Sequence, residues 1–199
     1  MTELWTLENE IYDGGITLLC GVDEAGRGPL AGPVCAAACI LPRGLVIEGL
    51  NDSKKLTEKK REQLYDTITR EAVSYGIAFA TVEEIEEVNI LNATFLAMNR
   101  AIGKLSVVPE LALIDGNRSK GINIPARAVV KGDAQCADIA AASILAKVTR
   151  DRFMLTMAER YPQYHFEQHK GYGTKQHYEA LREYGPSPIH RLSFLRKMH

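Results

Sequence analysis

Ile16-Thr-Leu-Leu-Cys-Gly-Val22 runs directly into Asp23-Glu24-Ala-Gly-Arg-Gly28-Pro-Leu-Ala-Gly-Pro33. The first seven residues read as an apolar strand, and the second stretch sets two adjacent acids and a glycine loop at its end. Ionised carboxylates beside a buried strand lose hydration and repel each other unless a cation or hydrogen bonds compensate. A divalent metal is the simplest compensation, and hard cations such as Mg²⁺ take oxygen ligands. Beyond the loop, Gly32-Pro-Val-Cys-Ala-Ala-Ala-Cys-Ile-Leu41 reads as a second strand. The short Gly/Pro link makes the two strands antiparallel neighbours.

Working outward, Thr57–Val73 reads as a helix with Thr57 as N-cap and Leu64, Ile68 and Ala72 on one face. A third strand follows near Ser74–Thr81. Thr81-Val-Glu-Glu84 matches a capping box and opens a short helix. Asn92 caps another, running to about Leu105 with Phe95, Met98 and Ile102 on its buried side. Leu111-Ala-Leu-Ile114 is a short strand stopped by Asp115-Gly116-Asn117, and Ala126–Val130 is a further strand. Lys131-Gly132-Asp133 leads into a long helix, about Ala134 to Arg160, rich in small residues and ended by Pro162. Loop and short helix make up the tail. Local pairing of the early strands and alternation of the later strands with helices give the class α/β with a mixed sheet.

At 199 residues the chain fits one domain, and its composition is that of a soluble globular protein. No apolar run approaches the ~20 residues of a membrane helix, so no membrane association is expected. The acidic N-terminus lacks the features of a secretory signal. Cys20, Cys35, Cys39 and Cys136 form no Cys-x-x-Cys pair and read as buried thiols, which points to a reducing, cytoplasmic setting. A net charge of −1 excludes a polycation. Charge is nevertheless segregated: residues 53–61 hold five basic residues and one acid, and residues 160–199 hold seven basic residues, three acids and all five histidines. Patches of this kind suit a polyanion, although most charge clusters are solvated faces.

The glycine loop departs from Gly-x-Gly-x-x-Gly: its third glycine is one residue late, and the acids before it would repel a pyrophosphate. A tight turn is one reading. The other is that the glycines let backbone approach a ligand while Arg27 contacts a phosphate. Asp115 ends an apolar strand; it meets Asp23 if the two strands are neighbours, and a plain Asp-Gly turn competes. Asp133 is an N-cap by default and a further metal ligand as the alternative. Asp138 reads as a polar residue on the helix. His165-Phe-Glu-Gln-His169 does not match a zinc pattern, and its histidines are expected to face phosphate or solvent. Tyr172, between Gly171 and Gly173, is either packed on the core or an exposed stacking surface for a sugar or base.

Seven blocks occur in one order: Asp23–Gly28, Asn51-Asp-Ser-Lys-Lys-Leu56, Leu113–Asn117, Lys131–Asp133, Ala141-Ala-Ser-Ile-Leu-Ala-Lys147, Lys170–Thr174 and His190-Arg-Leu-Ser-Phe194. In these the chain resembles bacterial ribonuclease HII over about residues 16 to 195. The resemblance implies an RNase H-like fold, with a mixed five-stranded sheet flanked by helices and a C-terminal helical part. It implies residues 1–15 as an N-terminal extension and 16–199 as a single type 2 ribonuclease H domain, with a catalytic core of about 16–160 and a helical part of about 161–199. The implied activity is endonucleolytic cleavage of RNA in RNA–DNA hybrids, and cleavage 5′ of single ribonucleotides in duplex DNA. The products carry 5′-phosphate and 3′-hydroxyl ends, and the implied role is removal of misincorporated ribonucleotides and RNA primers. Asp23, Glu24, Asp115 and Asp133 take the places of the family's metal ligands, holding two Mg²⁺ or Mn²⁺ ions. Gly26, Arg27 and Gly28 take those of its substrate-reading loop and Tyr172 that of its substrate-sensing tyrosine, with Lys54 and Lys55 as phosphate contacts. The expected partner is hybrid or ribonucleotide-containing duplex, and the expected state a monomer. A metal-dependent phosphohydrolase of smaller esters and a non-catalytic hybrid-binding module are the alternatives.

Overall fold

The computed structural model describes residues 3–51 and 53–196, apart from the side chains of Glu3 and Lys54. Residues 1–2, Asp52 and residues 197–199 therefore lie outside the description. Five strands form one sheet: β1 (Leu19–Ala25), β2 (Val34–Ile40), β3 (Ser74–Ala80), β4 (Leu111–Asp115) and β5 (Ala126–Val129), in the order β3-β2-β1-β4-β5. β1 pairs antiparallel with β2 and parallel with β4, β2 pairs antiparallel with β3, and β4 pairs parallel with β5. The sheet is mixed, and the antiparallel β1–β2 neighbours meet the expectation. β1 starts three residues later than the apolar run and extends through Asp23 and Glu24, so both acids are strand residues.

The helices are α1 (Thr6–Asp13), α2 (Glu58–Glu71), α3 (Val82–Ile102), α4 (Ala137–Arg160), α5 (Phe166–His169), α6 (Lys175–Tyr184) and α7 (Leu192–Leu195). α3 covers one face of the sheet, and α4 with α2 covers the other. Alternation along the strands assigns the two cores. Cys20, Val22, Val34, Ala36 and Ala38 pack with Ala93, Ala97 and Met98 of α3. Ala37 and Cys39 pack with Leu64 and Ile68 of α2 and the alanines of α4. Two glycines bring the helices unusually close. A Cβ at Gly21 would lie 2.2 Å from the α4 backbone at Asp138, and one at Gly76 would lie 2.1 Å from the Ala101 carbonyl of α3. No helix among the described residues is long and apolar enough to cross a membrane.

Thr57 caps α2 by accepting from Lys60 N–H, and Thr81 with Glu84 forms the capping box of α3. The second helical piece begins differently from expectation. Asn89 (φ 67°, ψ 165°) interrupts α3, and its Oδ1 accepts from the N–H groups of Leu91 and Asn92. The cap is therefore Asn89 and not Asn92, because Asn89 is the residue that leaves helical geometry. Asp133 is likewise not the cap of α4. It lies in a 3-10 turn (Gly132–Ala134), and α4 begins at Ala137. The cap comes from α1, where Glu8 Oε1 accepts from Asp138 N–H at 3.0 Å. Trp5, fully buried, donates its indole N–H to the Leu45 carbonyl and anchors the same segment.

Candidate active site

Parallel pairing of β1 and β4 sets Val22 opposite Ile114, so Asp23 and Asp115 follow side by side at the strand ends. The close approach of α4 at Gly21 brings the turn before that helix to the same end of the sheet. Asp115 Oδ1 accepts from Gly132 N–H at 2.7 Å and from Asp133 N–H at 3.4 Å, which ties the turn to β4. One oxygen from each of Asp23, Asp115 and Asp133 lies within 4.8 Å of the other two. Asp23 and Asp133 are buried and Asp115 half-buried. Burial first, and then the Glu24 and Asp115 charges, push the Asp23 carboxyl well above the usual carboxylate range. Three convergent hard oxygen donors whose charges oppose one another fit a divalent cation.

Glu24 is not part of this trio. Strand alternation turns it to the opposite face, toward α3, where it pairs with Arg27 at 3.3 Å. Glu24, Arg27 and Asp115 line a cavity of about 340 Å³ floored by Phe95 and Met98. The two acids thus flank the β1 end from both faces.

A polar chain supports Asp23 from behind. The Ser143 hydroxyl of α4 faces Asp23 and favours its ionised form, and Ser53 Oγ lies 2.7 Å from Ser143 Oγ. Ser53 opens the 3-10 turn Ser53–Lys55, where Lys55 is exposed and the Lys54 side chain is outside the description. Arg61 holds this turn by donating to the carbonyls of Ser53 and Leu56.

The loop between β1 and β2 is locked from beneath. Gly26 has φ 98°, and a Cβ there would lie 1.9 Å from Arg150 Nε, so both conformation and space require glycine. Arg150, buried on α4, donates to the carbonyls of Pro33, Ala31 and Lys170. Arg191, also buried, donates to those of Gly26, Arg27, Pro29 and Gly32 at 2.6–3.0 Å. Burial, and next the neighbouring Arg150 charge, lower the Arg191 guanidinium to about 9, which leaves it protonated at neutral pH. With its carbonyls held inward, the loop presents the Arg27 side chain, half exposed, to solvent. Tyr172 is 45% exposed, and its Cε1 lies 3.7 Å from where a Cβ of Gly28 would sit. The exposed alternative for Tyr172 holds, and the ring stands beside the glycine loop.

Sequence reasoning missed Ser143, Arg150 and Arg191. A serine and an arginine seven residues apart on an alanine-rich helix, each on its buried side, are the one local signal. The histidine expectation needs correction. His165 is exposed, as expected, but His169 is buried, and it lies with His177 and His190, also buried and outside that expectation. They pack with Tyr164 and Phe166, because the C-terminal part builds its own small core here. Asp138 lies on α4, as expected. It is fully buried, and its Oδ1 accepts from Leu41 N–H.

The family model described as Ribonuclease HII matches residues 20–197. The chain is 53% identical over 192 residues to ribonuclease HII of Caldicellulosiruptor saccharolyticus, covering 96% of this chain and 94% of that one. It is 60% identical over 188 residues to ribonuclease HII of Marinomonas sp., covering 94% and 93%. The fold superposes on the crystal structure of ribonuclease H2 from Pyrococcus horikoshii OT3 with a TM-score of 0.74 at 28% identity, covering 90% and 96%. The five-stranded frame, the acids at its strand ends and the likeness along nearly the whole length lead to one conclusion: the chain belongs to the ribonuclease HII family of ribonuclease H enzymes.

Proposed function

We propose that this chain, a ribonuclease H acting on RNA–DNA hybrids, also cuts 5′ of a single ribonucleotide embedded in duplex DNA, leaving 5′-phosphate and 3′-hydroxyl ends. Its biological role on this reading is removal of misincorporated ribonucleotides and RNA primers, in the cytoplasm. The observation that carries the reading is the convergence of Asp23, Asp115 and Asp133 within 4.8 Å of one another, at the strand end that leads directly into the glycine loop. Mg²⁺ or Mn²⁺ held by these three acids, with Glu24 reaching in from the other face, would supply charge neutralisation at the scissile phosphate and activation of water.

The chain's own groups do the rest. Ser143 holds the Asp23 carboxylate in one orientation, with Ser53 behind it. Arg27 offers a guanidinium to a backbone phosphate, and Lys54 and Lys55 extend that contact along the duplex in a sequence-independent way. Gly26 leaves room for Arg150 beneath the loop, and Gly28 allows a sugar to approach the loop backbone closely, where a 2′-hydroxyl distinguishes ribose from deoxyribose. The Tyr172 ring, beside Gly28, supplies a stacking face for the adjoining sugar. Residues 16–199 constitute the type 2 ribonuclease H domain on this reading, with 1–15 as an extension whose Trp5 and Glu8 are buried against it.

Offering a labelled hybrid duplex and a chromogenic phosphate monoester together tests the substrate class. Hybrid cleavage with negligible monoester hydrolysis is expected. Turnover of the monoester at a comparable rate would overturn the reading in favour of a small-ester phosphohydrolase.

A further inference from the structure

The buried histidines of the C-terminal part form a hydrogen-bonded line whose direction is fixed by its ends. Ser187 N–H donates to His190 Nδ1 at 2.9 Å, so this nitrogen carries a lone pair. A neutral His190 must then hold its proton on Nε2. That nitrogen lies 2.9 Å from His177 Nε2, which therefore accepts. His177 in turn holds its proton on Nδ1 and donates it to the Tyr172 carbonyl at 2.9 Å. Both rings are buried, and both pKa values are lowered to about 4, by burial first in each case. At neutral pH the two imidazoles are thus uncharged, as a single Nε2–H···Nε2 bond requires.

The Tyr172 backbone makes two further bonds: its N–H donates to the His169 carbonyl, and its carbonyl accepts from Thr174 N–H as well as from His177, each at 2.9 Å. Its side chain is half exposed, and the chain at Gly171 runs at φ 87°. The carbonyl that His177 holds lies between the tyrosine ring and Gly173, where the backbone direction sets the ring's position over the glycine loop. The two histidines come from different elements, His177 from α6 and His190 from the segment before α7. The same segment carries Arg191, which grips the glycine loop.

From this geometry we infer that His177, oriented by His190, is a positioning residue that fixes Tyr172 for recognition of an isolated ribonucleotide. The inference rests on the reading of Tyr172 as a substrate-sensing residue. The imidazole touches neither substrate nor the acids; it acts through the Tyr172 backbone. Its influence therefore falls on discrimination between a single ribonucleotide and a continuous hybrid, where one contacted sugar must suffice for recognition.

The test compares kcat/KM on a DNA duplex with one ribonucleotide and on a continuous RNA–DNA hybrid, for His177→Leu, His177→Asn and Tyr172→Ala. His177→Leu removes the donor, and the preference for the single ribonucleotide should fall about tenfold, the worth of one buried hydrogen bond. His177→Asn keeps an N–H near the Nδ1 position and should restore most of the preference. In the wild type, ¹⁵N-resolved imidazole spectra should show His177 as the Nδ1–H tautomer and His190 as Nε2–H. Unchanged preference in His177→Leu beside a loss in Tyr172→Ala overturns this inference and leaves the tyrosine reading standing. Unchanged preference in Tyr172→Ala overturns both. A parallel fall on both substrates, without rescue by asparagine, marks His177 as structural only and overturns the inference. If His177→Leu does not fold, His190→Asn decides. Its amide oxygen keeps the Ser187 bond while the Nε2 donor is lost, and an unaltered preference in that variant contradicts the positioning role.

Discussion

At the scale of single residues, the site is defined by charges that the fold places against their own preference. Asp23 is buried beside Asp115 and Glu24, and its carboxyl is held well above the normal range. Asp23→Asn keeps its shape and removes that repulsion. The variant should melt higher than the wild type in the absence of metal, by about 2–4 °C for each 1 kcal/mol relieved, while its cleavage is lost. Added Mg²⁺ should raise the melting temperature of the wild type and leave that of the variant unmoved. Ser143→Ala removes the hydroxyl that orients Asp23, and activity or metal affinity should fall on the order of tenfold or more, read from the Mg²⁺ dependence of cleavage. Asp23 and Asp115 were legible in the sequence, because a carboxylate ending an apolar run stands out against the hydropathy. Arg150 and Arg191 were not. Their partners are backbone carbonyls 20–165 positions away in the chain, and a carbonyl has no sequence signature.

At the scale of elements, capping decides where helices begin and what they hold. α1 carried no motif, yet Glu8 caps α4 through Asp138 N–H. A cap contributed by another element leaves no local pattern, which is why Asp133 read as the default cap. Glu8 and Asp138 are both buried, and burial raises both carboxyls: for Glu8 it outweighs the bond from Asp138 N–H, and for Asp138 the Glu8 charge adds to it. The folded protein therefore holds these protons more tightly than the unfolded chain does. Stability should fall as pH rises above the ordinary carboxylate range near 4. Glu8→Gln keeps the acceptor without the charge, so its melting temperature should decline less than that of the wild type between pH 5 and pH 8; an identical decline would contradict the assignment. Asn89 stores strain in α3, in a region of backbone space that is nearly exclusive to glycine. Asn89→Ala loses the cap and keeps the strain, and should cost about 1–2 kcal/mol. Asn89→Gly loses the cap but relieves the strain and should be close to neutral, as denaturant midpoints would report.

At the scale of the whole molecule, the mixed sheet and the antiparallel β1–β2 pairing were legible in the sequence, whereas the strand order, the other pairings and the docking of the C-terminal part were not. Strand periods and short links speak about neighbours, whereas the last forty residues attach through arginine-to-carbonyl bonds and a histidine core. That attachment makes residues 23–28 a shared segment: the acids at its start belong to the metal-type cluster, and the glycines at its end are gripped by Arg150 and Arg191. Arg191→Ala would leave four loop carbonyls without this donor and should cost at least about 2 kcal/mol. It should weaken cleavage at single ribonucleotides more than cleavage of continuous hybrids.

The joint use of that segment for chemistry and for substrate choice is tested most directly by mapping the cut in an end-labelled DNA duplex carrying one ribonucleotide, with Mg²⁺, Mn²⁺ or chelator, for the wild type and Asp23→Asn. The account predicts a single metal-dependent cut 5′ of the ribonucleotide, leaving 5′-phosphate and 3′-hydroxyl ends, and no cut by the variant. Undiminished cutting by Asp23→Asn, or a wild type that cleaves hybrids and ignores the lone ribonucleotide, would contradict it.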